Sequence, residues 1–213
     1  MTVPNPTHIR ATHEVVVFPT CLEAIAAQGP PPPEGPVLID SCPVELQNDI
    51  GSYGLDADAA SGGMDAIFHA FELTRDTKIT SMKVSLKSVG TPLGASVVCG
   101  LYNNLSGEFP NVIPISPWLR QTTYRDMSSI SPDGGLYEFD FLLKPSLAAG
   151  KYAISVERSG DFTPSGSSIK VGFAFDFDNA GSIHAGNGGF HQNGIWQADD
   201  MADLIFYLYG VPL

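Results

Sequence analysis

Three oxygen-bearing side chains fall close together in the segment Asp176-Phe177-Asp178-Asn179-Ala180-Gly181. Calcium takes about six to eight oxygen ligands, and a turn of this composition supplies several of them. An EF-hand loop is excluded because the bidentate acid expected about eleven residues after Asp176 is missing, and Asn187 stands there. An Asx-rich turn that closes a strand accounts for the same residues. The turn is the simpler interpretation, and a calcium site formed by Asp176, Asp178 and Asn179 is the alternative.

Glu138 and Asp140 are two residues apart in an alternating segment, so both carboxylates project from the same face of a strand. Paired carboxylates are the minimum requirement for glycoside hydrolysis. One of the pair would need burial to raise its pKa, but the alternation points both away from the core. The pattern therefore favours a solvated strand face over a glycosidase site.

The glycine-rich segment 181–194 contains His184, Phe190 and His191, and Trp196 follows it. Histidine is a common metal ligand, and the two histidines are seven residues apart, but no carboxylate or third histidine is close to them in the sequence. Phe190 and Trp196 are also able to stack on sugar rings, which makes a glycan contact a second alternative. The simplest interpretation is a glycine hairpin whose Trp196 packs into the core.

A second group of aromatic residues surrounds the loop 104–119, namely Tyr102, Phe109, Trp118 and Tyr124. These side chains either cover the domain, contact a neighbouring subunit or bind a glycan. Tyrosine and tryptophan are enriched at interfaces because they combine apolar area with a polar tip. We therefore favour subunit contact, with glycan binding as the alternative.

Motifs for covalent and phosphate chemistry are missing from the sequence. It has no G-x-S-x-G nucleophile turn, no cysteine paired locally with histidine and no G-x-x-x-x-G-K phosphate loop. We therefore expect a protein without enzymatic activity and without a required cofactor. The net charge of −12 disfavours nucleic acid as a partner, and no apolar run is long enough for a membrane helix.

The composition changes near residue 62. The first 60 residues are rich in proline and acids and contain only two aromatic residues, so they bury little apolar surface by themselves. The run Pro30–Pro33 predicts an extended polyproline spacer with a rise of roughly 3 Å per residue. We therefore expect residues 1–62 to form an extended acidic arm that docks on partner subunits, through Val15, Val16, Val17, Phe18, Pro31, Pro32, Val37, Leu38 and Ile39.

Residues 63–213 read as short strands separated by turns. In the segment 78–88, Met82, Val84 and Leu86 alternate with Lys83, Ser85 and Lys87, which predicts a strand with one buried face. Similar alternation recurs along the segment in the rows Tyr137/Phe139/Phe141, Tyr152/Ile154/Val156, Val171/Phe173/Phe175/Phe177 and Leu204/Phe206/Leu208. About seven or eight antiparallel strands of this kind indicate an all-β jelly-roll sandwich.

Several motifs in residues 65–211 are similar to those of a known type of domain. They are Ala70-Phe71-Glu72-Leu73, Asp76–Ser81, Val84–Gly94, Leu101-Tyr102, Leu136–Phe141, Leu147–Tyr152 and Asp203–Gly210. Their order resembles the jelly-roll, carbohydrate-binding-module-like domains of phage structural proteins and bacterial surface proteins. Such domains serve as sugar binders, fibre heads and scaffolds alike. The N-terminal arm has no counterpart in a free sugar-binding module and is similar to accessory proteins of tailed-phage particles.

The resemblance implies a non-enzymatic structural protein of a virion, assembled in the host cytoplasm. Capsid decoration or a head fibre is the first expectation, with a tail or baseplate position next. The implied partners are other virion proteins and copies of the chain itself. The alternative is a carbohydrate-binding or receptor-binding module that contacts a host glycan through Trp118, Tyr124, Phe190 and Trp196.

Overall fold

The computed structural model describes residues 35–42, 50–56, 64–92, 94–160, 167–175, 184–199 and 202–213. The regular secondary structure of these ranges is β-strand, apart from one short 3-10 helix at Met127–Ser129. The all-β class expected from the sequence is confirmed. The predicted docking residues Val15, Val16, Val17, Phe18, Pro31 and Pro32 lie outside the described residues.

The described strands are numbered in chain order. They are β1 (Val37–Cys42), β2 (Ile50–Asp56), β3 (Met64–Leu73), β4 (Thr77–Val89), β5 (Ser96–Tyr102), β6 (Leu105–Ser106), β7 (Ile113–Pro114), β8 (Arg120–Gln121), β9 (Arg125–Asp126), β10 (Gly135–Asp140), β11 (Ser146–Leu147), β12 (Gly150–Ser159), β13 (Ser168–Phe175), β14 (Gly186–Gln192), β15 (Ile195–Asp199), β16 (Ala202–Leu204) and β17 (Phe206–Pro212).

Among the described residues, 15 strands form one hydrogen-bonded sheet along the path β1-β17-β4-β13-β2-β3-β12-β5-β8, with the remaining members attached beside it. Strands β6 and β7 form a separate pair. Neighbouring strands in the sheet are antiparallel except β2 and β3, which meet in parallel at Leu55 and Met64.

The sheet curls so that distant strands face each other across one large core. Phe71 of β3 lies 6.4 Å from Phe206 of β17 between ring centroids, although these two strands are not hydrogen-bonded neighbours. In β4, Met82, Val84 and Leu86 are buried, as their alternation predicts. The architecture is therefore sandwich-like, with the inward rows of both halves meeting in the middle.

A second, smaller core lies on the outer side of β3. It is covered by the segment 104–119, which the sequence predicts as a long loop and which carries the β6–β7 pair. Its buried members are Phe68, Ala70, Tyr102, Val112 and Ala153, and the partly buried side chains that pack against them include Leu105, Phe109, Ile113, Trp118 and Trp196.

The buried side chain of Asn187 on β14 fastens this covering segment to the sheet. Its Oδ1 accepts a hydrogen bond from the backbone N–H of Val112 at 3.0 Å, and its Nδ2 donates to the Val112 carbonyl at 2.8 Å. The amide also donates to the carbonyl of Gly188 at 3.0 Å. One side chain thus satisfies both backbone groups of a buried loop residue, as a neighbouring strand would.

Strand β14 lies in the segment interpreted from the sequence as a glycine hairpin. Asn193 and Gly194 form its turn with φ values of 53° and 79°, the left-handed conformation of a two-residue hairpin. Gly189 permits close contact with β3, because a Cβ there would lie 2.4 Å from Cε1 of Phe68. Glycine therefore allows β14 to lie close against β3. Because glycine has no side chain, the same residues give the strand no pattern of alternating side chains in the sequence.

Two strands that precede the boundary predicted at residue 62 pair with strands that follow it. Strand β1 pairs with β17, with Val37 opposite Gly210 and Leu38 opposite Tyr209. Strand β2 pairs with β13 along its length. Val37, Leu38 and Ile39, predicted to dock on a partner, are in a strand of the chain's own sheet. Val37 and Leu38 have partners on β17, and Ile39, at an irregularity in this pairing, packs against the main core.

We predict that Asn187→Ala destabilises the protein by about 2–3 kcal/mol, because it leaves both backbone polar groups of Val112 buried without their partner. Urea unfolding followed by circular dichroism measures the change. The matched control is Asn103→Ala, since Asn103 is exposed, and we expect it to shift stability by less than about 0.5 kcal/mol. Equal stabilities for the two variants would contradict this role for Asn187.

Candidate functional site

The aromatic residues expected to contact glycans or subunits lie at different places in the fold. Trp196 on β15 is half-buried and packs edge-on against Phe68, with ring centroids 5.3 Å apart, and against Tyr102 at 5.7 Å. Phe190 on β14 packs against the main core. These contacts match the hairpin interpretation, in which the role of Trp196 is packing.

Trp118 is held in place by a carboxylate. Its indole N–H donates to Oε1 of Glu157 at 2.7 Å, and the Tyr102 hydroxyl donates to the same oxygen at 2.7 Å. The Ser155 hydroxyl is a third donor to that oxygen. Burial and then the Glu157 carboxylate raise the pKa of Tyr102 well above its usual range, so that hydroxyl keeps its proton. The indole lies over Gly100, where a Cβ would come within 2.8 Å of Trp118 Cδ1.

Beside this anchored indole lies an apolar surface that we call the edge cleft. It has a volume of about 370 Å³ and is lined by Trp118, Leu119, Arg120, Gln121, Leu142 and Leu143. The backbone N–H of Leu142 donates to the carbonyl of Gln121 at 3.3 Å, which brings its two walls together. The cleft thus joins the covering segment to the end of β10.

Large apolar side chains are exposed at the edge cleft. Leu142 is 57% exposed and Leu143 is 67% exposed. Tyr124 is 51% exposed, and the backbone of its neighbour Thr123 donates to the carbonyl of Asp140, close to the two leucines. Adjacent exposed apolar groups indicate a contact surface more strongly than scattered ones do.

A second arrangement is a chain of acidic and imidazole groups, which we call the His–Asp chain: Asp40, His184, His69 and Asp203. Nε2 of His184 lies 2.7 Å from Oδ1 of Asp40, and its Nδ1 lies 2.9 Å from Nε2 of His69. Nδ1 of His69 faces Oδ1 of Asp203 at 3.5 Å, without the geometry of a hydrogen bond. Strands β1, β3 and β16 and the segment that precedes β14 contribute one member each.

Burial sets the electrostatics of this chain. His69 is fully buried, and desolvation followed by the neighbouring His184 lowers its pKa well below the usual value, so His69 is neutral near pH 7. Burial and then the carboxylates of Asp203 and Asp40 raise the pKa of Cys42 to about 12. The thiol of Cys42 therefore stays protonated and is a poor nucleophile.

The His–Asp chain borders a larger cavity. This cavity has a volume of about 730 Å³, and its polar lining includes Asp40, Glu72, Arg75 and His184. Both ring nitrogens of His184 are directed at other members of the chain. The imidazole therefore presents no ring nitrogen to a molecule in the cavity and is better suited to hold a proton within the chain than to act as a general base on a ligand.

The remaining predicted sites have different outcomes. Asp176, Asp178 and Asn179 lie outside the described residues, so calcium binding there stays a prediction. Within the ranges that the structure describes, no three His, Cys, Asp or Glu side chains are grouped to hold a metal ion.

Glu138 and Asp140 are exposed, with Glu138 paired to Lys83 at 3.6 Å, so the solvated strand face is confirmed. No helix in the described part of the chain is long and apolar enough to span a membrane.

The sequence interpretation considered His184 as a metal ligand and did not single out Asp40, His69 or Asp203. A signal for His69 was nevertheless present. In β3, Ile67, His69 and Phe71 occupy alternate positions, so His69 had to share the face that enters the core. A buried histidine needs a polar partner, so this position indicates a further polar group inside the core.

We predict that Trp196→Ala lowers the free energy of unfolding by about 2–3 kcal/mol, because the indole fills space between Phe68 and Tyr102. The matched control is Tyr124→Ala, which removes an exposed ring and should cost less than about 0.5 kcal/mol. Thermal unfolding of both variants measures the difference. An unchanged melting temperature for Trp196→Ala would mean that its ring is not part of the second core.

No protein-family model, curated protein or solved structure matches this chain.

Proposed function

We propose that the chain is a non-enzymatic structural protein of a phage particle, in the position of a capsid decoration or head fibre. A tail or baseplate position is the next candidate. In this proposal the strands form a jelly-roll body, and the proline-rich segment before β1 is an extended arm that docks on neighbouring subunits. The partners are other virion proteins and further copies of the chain.

The edge cleft is the observation that carries the proposal. Two adjacent leucines more than half exposed, beside an anchored tryptophan, form a surface suited to burial against another subunit. Burying an exposed leucine fully contributes about 1.5–3 kcal/mol. A contact of this size is weak on its own, but many copies on a lattice make it effective through avidity.

The location is tested with an antibody raised against the purified protein. Particles from the source lysate are banded on a density gradient, and the bands are probed by immunoblot and by immunogold electron microscopy. The proposal expects the protein in the particle band, on the particle exterior. Protein found entirely in the soluble fraction, with intact particles free of it, would overturn the proposal.

We predict that Leu143→Asp reduces incorporation into particles by at least about tenfold, because it places a charge where apolar surface is buried. The matched control is Leu213→Asp, since Leu213 is 69% exposed compared with 67% for Leu143 and lies outside the edge cleft. Quantitative blotting of purified particles measures both. Equal incorporation of the two variants would exclude the edge cleft as the docking surface.

The second candidate function is carbohydrate or receptor binding at the same cleft. It is favoured by one observation, the presence of the Arg120 guanidinium and the Gln121 amide beside the Trp118 indole. Sugar sites combine an aromatic face with a few polar groups that fix orientation.

We predict that, if this second function holds, Arg120→Ala weakens glycan binding at least about tenfold and shifts stability by less than about 0.5 kcal/mol. Arg120 is exposed, and the hydrogen bond that it donates to the Leu119 carbonyl is a surface contact. A glycan array identifies the ligand, and isothermal titration measures the affinity. Lys144→Ala is the control because it removes an exposed positive charge outside the cleft lining. Absence of binding to any glycan on the array would reject this second function and leave the structural proposal standing.

A further inference from the structure

The His–Asp chain has three links, and each link needs one proton. The links join Asp40 to His184, His184 to His69, and His69 to Asp203. Ionised carboxylates only accept hydrogen bonds, and each neutral imidazole carries one ring proton. With both histidines neutral, two ring protons are available for three links, so one link is left without a proton.

The distances decide which link that is. At 2.7 Å, the contact between His184 Nε2 and Asp40 Oδ1 would be strongly repulsive without a proton between the atoms. In the neutral chain, His184 therefore carries its proton on Nε2, and its Nδ1 accepts from Nε2–H of His69. Nδ1 of His69 is then bare, and it faces Asp203 at 3.5 Å with no hydrogen-bond partner.

Adding one proton to the chain gives every link a proton, including the link between His69 and Asp203. When His184 is charged, Nε2–H donates to Asp40 and Nδ1–H donates to Nε2 of His69. His69 then carries its own proton on Nδ1, directed towards the Asp203 carboxylate. Compared with the neutral chain, one proton has been taken up from solvent, and His69 stays neutral but changes from the Nε2–H to the Nδ1–H tautomer.

We propose that His69 is a tautomeric relay that couples protonation of His184, at the wall of the cavity, to the buried carboxylate of Asp203. The relay makes the attachment of β1 sensitive to pH. When His184 is charged, its contact with Asp40 becomes an ion pair that fastens this outer strand to the body, because the attraction between opposite charges adds to the hydrogen bond that is already present.

The groups around the two rings are consistent with proton uptake at His184 and a tautomer change at His69. The described titratable and charged groups next to the two rings are Asp40 and Cys42 on β1 and Asp203 on β16, while Glu72 and Arg75 line the same cavity as His184. The Phe206 ring lies 5.2 Å from His69 and 5.3 Å from His184 between ring centroids, and covers both. Burial lowers the pKa of His69, which keeps the charge on His184, the partner at the cavity.

The test is nitrogen-15 NMR of the histidine rings in the full chain, recorded from about pH 8 to about pH 5, a range centred on the ordinary titration of histidine. The relay expects His69 to change from the Nε2–H pattern to the Nδ1–H pattern while remaining neutral, over the same pH interval in which His184 becomes charged. A His69 ring that keeps one tautomer while His184 titrates, or that itself becomes charged, would overturn the proposal.

Variants add an independent check. Asp40→Asn removes the carboxylate that stabilises a charged His184, so the tautomer change should require more acid. His184→Gln should abolish the change in His69. His191→Gln is the matched control, because His191 also faces a carboxylate, Asp65 at 3.7 Å, but is not part of the His–Asp chain. An unchanged His69 transition in His184→Gln would contradict the relay, and the wild-type spectra decide the question if that variant does not fold.

Discussion

Burial of β3 on both of its faces is the constraint on which the rest of the structure depends. Ile67, His69 and Phe71 enter the main core, while Phe68 and Ala70 enter the second core. A strand with two buried faces needs cover on both sides. The curled sheet supplies it on one side, and the segment 104–119 supplies it on the other. The Asn187 amide, the anchored Trp118 and the half-buried Trp196 all serve this second cover.

The same constraint explains the His–Asp chain. A histidine on the inward face of β3 is removed from solvent when the chain folds, and a neutral imidazole still needs partners for both ring nitrogens. His184 supplies one partner, and Asp203 approaches the other. Asp40 then satisfies the far side of His184. The polar residue His69 at a core position is thus accompanied by a row of polar groups that extends from the cavity to the interior. These groups connect strands that are far apart in sequence.

Alternation predicted the long strands well, because each has one face in a core and one face towards solvent or a second layer. The rows in β4 and β12 are examples, and the all-β class followed from them. Alternation failed for β14, whose glycines have no side chains to alternate. The place of β1 and β2 in the sheet was missed for a different reason. A composition poor in aromatics suggested an arm, whereas these strands pair with β17 and β13. The edge cleft and the His–Asp chain depend on contacts between distant segments, which local patterns do not report.

The pairing of β1 with β17 has a consequence for how the protein is made. These strands are separated by nearly the whole described body, so the contact between them is among the most nonlocal in the fold. Nonlocal contacts pay the largest loop-closure entropy and form slowly. During synthesis, β1 has no partner among the described strands until β17 has left the ribosome. The first described strand to be translated is therefore among the last to be secured, and the nascent chain exposes an unpaired strand through most of its translation.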